Sequence, residues 1–98
     1  MKPKEVIEKW VELLNQGNAL ELSELYHDHA VNHQVANLPV EGKKAIFEMF
    51  NQEFQKADMV CIIEHIYEDV QWAILEWKDP IGLRGSDFFQ IENDKILF

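Results

Sequence analysis

Asp87 lies in the run Arg84-Gly85-Ser86-Asp87-Phe88-Phe89-Gln90-Ile91, where alternate positions read acid, Phe, Ile. Alternate residues of a β-strand share a face, so this spacing sets a carboxyl group in an apolar row. A carboxylate in such a row must be paired, protonated or put to use, because burying it alone is costly. Burial raises the pKa of a carboxyl group and suits it to general acid or base work near neutral pH. Two structural readings compete with that one. A one-residue slip would turn Asp87 to solvent, or nearby Arg84 could pair with it. His33 is a second proton-transfer candidate, since an unperturbed imidazole titrates near neutral pH. Its plain alternative is a loop histidine satisfied by water or backbone.

Other groups carry weaker signals. His27, Asp28, His29 and His33 invite a metal reading, but spacings of two and four in a loop are not specific, and Cys61 is the single cysteine. No metal site and no cofactor are assigned. Glu76 and His65 are candidate partners for Asp87 if all three share a face, or solvated residues near the sheet edge. Trp10, Phe47, Phe50, Trp72 and Phe89 are spaced to converge between helices and sheet, as plain core or as the lining of a pocket. Leu14, Tyr26 and Ile74 join that candidate ligand-binding set; a Tyr in such a place is also a core residue with its hydroxyl at the surface.

The elements that must position these groups follow from periodicity. Val6, Ile7, Trp10, Val11 and Leu14 have helical spacing with one buried stripe, and Gly17 is a C-cap. Asn18 caps a second helix, with Glu21 reaching back; this helix carries Leu20, Leu22, Leu25 and Tyr26. Residues 30–41 read as a short strand and a loop. A third helix over about 43–55 buries Ile46, Phe47, Phe50 and Phe54. From Met59 the chain is rich in β-branched residues, and Glu68-Asp69, 79–82 and Asn93-Asp94 read as turns between four strands. Helices followed by an antiparallel meander make an α+β fold.

Turns at those places imply a register. Tyr67 then pairs with Val70, Lys78 with Leu83, and Ile91 with Ile96. One face holds Ile63, His65, Trp72, Ile74, Glu76, Asp87, Phe89, Ile91, Ile96 and Phe98. The other holds Val60, Ile62, Leu75, Trp77 and Phe88, and is apolar enough to call for a partner subunit. A homodimer through the back of the sheet is therefore expected.

Composition bounds the rest. The 98 residues fit one domain over 1–98, and 47% of them are hydrophobic, which excludes disorder. The formal charge of −9 disfavours nucleic acid. No run is long and apolar enough to span a membrane. The N-terminus lacks a signal-peptide pattern, and one cysteine fits a cytoplasmic setting.

Three helices, the opening Val40-Glu41-Gly42-Lys43-Lys44-Ala45-Ile46 of the third, and the stretch Arg84 to Ile96 together resemble the SnoaL-like branch of the nuclear transport factor 2-like superfamily. The resemblance covers the whole chain. It implies a cone in which three helices pack on a curved sheet, open at one end to small, mostly apolar molecules. Relatives include ketosteroid isomerases, limonene epoxide hydrolases, scytalone dehydratases, polyketide cyclases and non-catalytic association domains. The related isomerases and hydrolases use an acid on the part of the sheet that holds Asp87, and relatives often carry a histidine at the place of His33. Asp94 stands where relatives usually have Gly. The last strand normally runs on beyond the point where this chain reaches Phe98, so it is expected to be cut short. The implied functions are acid–base catalysis on a small apolar substrate, non-catalytic ligand binding, or dimerisation.

Overall fold

The computed structural model describes residues 2–34 and 37–98, so positions 35 and 36 of the expected loop lie outside the described residues. Helix α1 spans Pro3–Gln16, α2 Ala19–Glu24 and α3 Lys43–Lys56. A two-stranded sheet pairs β1 (Val31–Asn32) with β2 (Val40–Glu41). The main sheet runs β3 (Ile62–Asp69), β4 (Trp72–Lys78), β5 (Arg84–Glu92) and β6 (Lys95–Ile96), antiparallel and in chain order. This is the expected α+β architecture of helices on an antiparallel sheet with a short last strand.

The helices form where their local signals are strongest. Pro3 opens α1 with its fixed φ and no N–H to satisfy. Gly17 closes it at φ 67°, a left-handed conformation that costs glycine little. Its N–H donates to Leu14 O and that of Asn18 to Leu13 O, a Schellman closure. Asn18 Oδ1 then accepts from Glu21 N at 3.1 Å and starts α2. The inner stripe of α1, from Val6 to Leu14, is buried against α2 and the sheet. Helix α2 stops one residue before Leu25, and Tyr26 belongs to a bridge beside Ile96. Leu20 faces solvent.

The register of β4 differs from the sequence expectation. The first hairpin turns at Val70 and Gln71, not at Glu68-Asp69, and pairs Asp69 with Trp72, Tyr67 with Ile74 and Ile66 with Leu75. The second loop runs over 79–83, so Lys78 pairs with Arg84, Leu75 with Asp87 and Ala73 with Phe89. Asp79 Oδ1 organises that loop by accepting from Ile81 N and Leu83 N. Thus β4 is turned over relative to the expectation, while β5 keeps its facing. Ala73 and Leu75 are fully buried on the inner face, and Trp77 packs against the same core. Trp72 and Ile74 lie on the outer face with His65, Tyr67, Glu76 and Phe88.

Magnitudes explain the choice. The observed turn puts Val70 at φ 56°, a cost of roughly 1–2 kcal/mol for a residue with a Cβ. Burying Leu75 returns about 1.5–3 kcal/mol, as burying Ile74 would have done, so the difference comes from seating Trp77 against the core where the expected register would have put Glu76. The expected register would also have buried Glu76 beside Asp87, two like charges on one apolar face. A bulge between Ile63 and His65 shifts the first part of β3, so that Cys61 is buried while Glu64 ion-pairs with Arg84 at 2.7 Å.

Strand β6 is held on both sides. Asn93 and Asp94 both have positive φ, as a tight hairpin turn requires, and Ile91 pairs with Ile96. Gln90 N donates to Phe98 O while Leu97 N donates to Gln90 O. The ladder bulges there, and Phe98 meets Gln90, not Phe89 as the simple register implied. On the far side, Ile96 N donates to Leu25 O, His27 N to Ile96 O and Val31 N to Leu97 O.

The register sets the first prediction. Leu75→Ala is expected to cost about 2–5 kcal/mol, the usual range for emptying a buried Leu site, and Ile74→Ala less than half as much, in urea melts of both variants. The reverse order would restore the sequence-expected facing of β4.

Candidate functional site

A cavity of about 590 Å³ lies between the inner face of the sheet and helices α1 and α3. Trp10 and Leu14 enter it from α1, Phe50 from α3 and Phe89 from β5. The Trp10 ring meets Phe89 edge-on at 5.2 Å between centroids and Phe50 at 6.4 Å, an arrangement the ring quadrupoles favour.

Tyr26 is the polar hub. It is buried, and its hydroxyl oxygen accepts from Trp10 Nε1 at 3.0 Å and from Asn32 Nδ2 at 3.4 Å. Both lone pairs are thereby engaged, and the phenolic proton is left to donate. Burial pushes the phenol up to about 12, against the two N–H donors, with further upward contributions from the charges of Asp87 and Glu53. The phenol is therefore a proton-bearing donor across the physiological range. Asn32 Oδ1 is buried and has no hydrogen-bond partner among the described residues.

Asp87 faces the cavity from β5, opposite Leu75. Burial raises its pKa above the ordinary 3.8, and the nearby Trp77 indole N–H partly offsets this. Trp77 Nε1 is enclosed and finds no partner of ideal hydrogen-bond geometry among the described residues, so the interaction by which it lowers the Asp87 pKa is a loose one. Arg84 does not pair with Asp87; it points to the outer face and Glu64. Cys61 also lines the cavity, and burial, then the charge of Asp87, pushes its thiol up to about 11. Asn15 fixes the Cys61 backbone from both sides, accepting from its N–H at 2.7 Å and donating to its carbonyl at 2.9 Å.

Glu53, on α3, is a second acid in the lining. Burial raises its pKa, while Gln34 and Lys56 lower it. His33 and Gln34 are exposed and line the rim.

Of the residues singled out in the sequence, Asp87, Trp10, Leu14, Tyr26, Phe50 and Phe89 are brought together around the cavity, with His33 at its edge. Trp72 and Ile74 are not: the turned-over β4 places them on the outer face. Phe47 is also outside, facing a shallow surface groove beside α2. His65 and Glu76 share the outer face and cannot partner Asp87. Glu53, Asn32, Trp77 and Cys61 escaped the sequence reading. Glu53 follows Phe50 by one helical turn step, which was the available signal; Trp77 and Cys61 needed the true register. Among the described residues no group of three His, Cys, Asp or Glu side chains is placed to hold a metal ion. Among them too, no helix is long and apolar enough to cross a membrane.

A profile of the SnoaL-like domain matches residues 7–98. The chain belongs to the SnoaL-like domain family. Several solved structures share its fold. A candidate polyketide cyclase from Sinorhizobium meliloti aligns with TM-score 0.84 at 16% identity, over 95% of this chain and 89% of that one. SalBIII, an epoxide hydrolase/cyclase-like enzyme of pyran ring formation in the polyether salinomycin, aligns with TM-score 0.80 at 21% identity, over 97% and 84%. An uncharacterised cystatin-fold protein from Novosphingobium aromaticivorans aligns with TM-score 0.84 at 14% identity, over 99% and 94%. Such identities establish a common SnoaL-like fold and nothing about reaction. No curated protein matches the sequence significantly.

The SnoaL-like cavity gives a pH-dependent prediction. The fold favours protonated Asp87, so stability is given up as pH rises past the ordinary value of 3.8, and the loss levels off above the folded-state pKa. Asparagine cannot ionise. Urea melts of Asp87→Asn are expected to equal or exceed the wild type at pH 7, with the difference shrinking toward pH 4. A clear loss of stability at pH 7 would make the acid a structural anion.

Proposed function

We propose that this protein binds a small apolar molecule in the cavity and that Asp87 exchanges a proton with it. The observation that carries the reading is the setting of Asp87: an acid held in an apolar cavity, within electrostatic reach of the Tyr26 phenol. A raised carboxyl pKa brings an acid nearer to neutral pH, where it gives and takes protons effectively. Tyr26 supplies a fixed donor for a ligand oxygen that gains negative charge. Glu53 is available as a second acid at the α3 side, and His33 as a proton carrier at the rim. The reaction class this set supports is proton-coupled rearrangement, cyclisation, dehydration or epoxide opening. The likeness to the candidate cyclase and the epoxide hydrolase/cyclase-like enzyme agrees with that class.

The test is a thermal-shift screen of terpenoids, steroids and aromatic polyketides, followed by turnover assays of the binders. A ligand at a hundred times its Kd adds roughly 2.7 kcal/mol of stability. Wild-type protein is expected to be stabilised by members of the panel, and Asp87→Asn to keep binding while losing turnover. Binding without turnover in the wild type would leave a ligand-binding module; no shift with any compound would remove both readings.

We also propose a homodimer through the outer face of the sheet. The face differs in membership from the sequence expectation: Leu75 and Trp77 point inward, and Tyr67, Trp72 and Phe88 are 52%, 41% and 60% exposed. A contiguous aromatic surface of this kind is a common dimer interface. Sedimentation equilibrium at micromolar concentration is expected to give twice the chain mass, and Phe88→Glu to give a folded monomer. A wild-type monomer would exclude the dimer.

A further inference from the structure

We propose that Trp77 is the positioning residue of Asp87: the indole edge, seated over Gly85, holds one carboxylate oxygen against the sheet and leaves the other free to face the cavity. The inference rests on the reading of Asp87 as the acid that exchanges a proton. It adds Trp77 and Gly85 to that site as residues that act through Asp87 and not on a ligand.

Three observations carry it. The first is register. Trp77 lies opposite Gly85, and Leu75 opposite Asp87, so Trp77 and Asp87 are diagonal neighbours on the inner face of β4 and β5. Such neighbours stand roughly 7–8 Å apart, within reach of an aromatic side chain.

The second is the seat of the ring. A Cβ on Gly85 would lie 2.5 Å from Trp77 Cζ2, 2.8 Å from Cε2 and 3.1 Å from Nε1. Gly85 is in no turn and has no left-handed φ to explain it. Its missing side chain lets the N–H edge of the indole lie across β5, the strand that carries Asp87. Any larger residue at 85 displaces that edge.

The third is the company the two groups keep. Trp77 Nε1 is shut off from solvent, and among the described residues the polar group it acts on is the Asp87 carboxyl. Arg84 is turned away to Glu64 on the outer face. Tyr26 and Cys61 feel Asp87 through its charge, while Glu53 and His33 line the same cavity from α3 and the rim. Hydrogen bonds to a charged acceptor are shorter and roughly twice as strong as neutral ones. The loose contact therefore tightens when Asp87 ionises and slackens when it takes up a proton. Burial, the larger influence on this acid, works the other way. With a single N–H to give, the indole engages one oxygen.

The test reads the proton on Asp87 directly and needs no ligand. Carboxyl ¹³C signals of the labelled protein are followed from acid to neutral pH, with Asp87 assigned by its loss in Asp87→Asn. Trp77 is replaced by benzothienylalanine, which keeps the shape of the ring and puts sulfur where the N–H was. The Asp87 midpoint is expected above the ordinary 3.8 in the wild type, higher still in the sulfur analogue, and displaced the same way in Gly85→Ala. Gly85→Ala made on the sulfur analogue is expected to add nothing, because both changes act through one contact. The chain has three Trp. The Trp77 indole ¹⁵N–¹H signal is expected to follow the Asp87 midpoint in the wild type and to lose that response in Asp87→Asn. Should the sulfur analogue fail to fold, that indole titration decides the matter. An unmoved or lowered midpoint in the sulfur analogue, or a Trp77 indole indifferent to pH, would overturn the inference and leave the proton-exchange reading standing. A wild-type midpoint at or below 3.8, with the indole still following it, would uphold the inference and remove that reading.

Discussion

The hydrogen bond from Trp10 Nε1 to the Tyr26 hydroxyl, 3.0 Å long and buried, joins the two halves of this molecule. Trp10 belongs to the helical layer, and Tyr26 is bridged to Ile96 at the end of the sheet. Each group would cost roughly 1–3 kcal/mol if buried without a partner, so neither can be moved alone. The bond fixes the Trp10 ring, which in turn lies edge-on to Phe89 and Phe50. It also fixes the phenol proton, because the oxygen has spent its accepting capacity on Trp10 and Asn32. The shape of the cavity and the orientation of its phenol thus depend on one contact between residues of different layers, 16 apart in the chain.

Polar groups reach the cavity from the sheet, from α3 and from the stretch after β1. Trp77 stands on β4 with strands paired on both sides, and Asp87 on β5 is held by β4 alone, beyond the reach of the short β6. Glu53 stands on α3, and His33 on a stretch next to the short β1–β2 sheet. Groups that must be placed to a fraction of an ångström are best carried by a sheet interior, and groups that meet an incoming molecule need not be.

The helices were legible because their evidence is local. The 3.6-residue stripe of α1, the left-handed Gly17 and the Asn18 cap each act within one turn of the chain. The facing of Asp87 was legible for a similar reason: 87, 89 and 91 alternate against Phe88 and Gln90, and only one assignment keeps the row apolar. Strand β4 was not legible, because both of its faces are apolar. Trp72 and Ile74 compete with Ala73, Leu75 and Trp77, and no period-2 pattern chooses between them. The choice came from elsewhere, from the fit of Leu75 under α1 and from the need to keep Glu76 out of the core. The first turn misled for the same reason: Val70 is a poor turn residue, and packing overrode its preference. What depended on that register, the Trp77–Gly85 pair and the removal of Trp72 and Ile74 from the cavity, could not be read before it. Tyr26 was placed correctly near the cavity but on the wrong element, since its bridge to Ile96 is a non-local contact.

The clasping of β6 has a consequence for how the molecule keeps company with itself. With residues 25–31 hydrogen-bonded along its outer side, that border of the sheet offers no open row of amides to a neighbour. The only other border is β3, and it is blunted. It bulges between Ile63 and His65, and its exposed end carries Glu68 and Asp69 side by side. Kinks and repeated like charges at an edge are the means by which natural sheets resist strand-to-strand stacking. With both borders managed in this way, the main sheet resists strand-to-strand stacking of one copy on another.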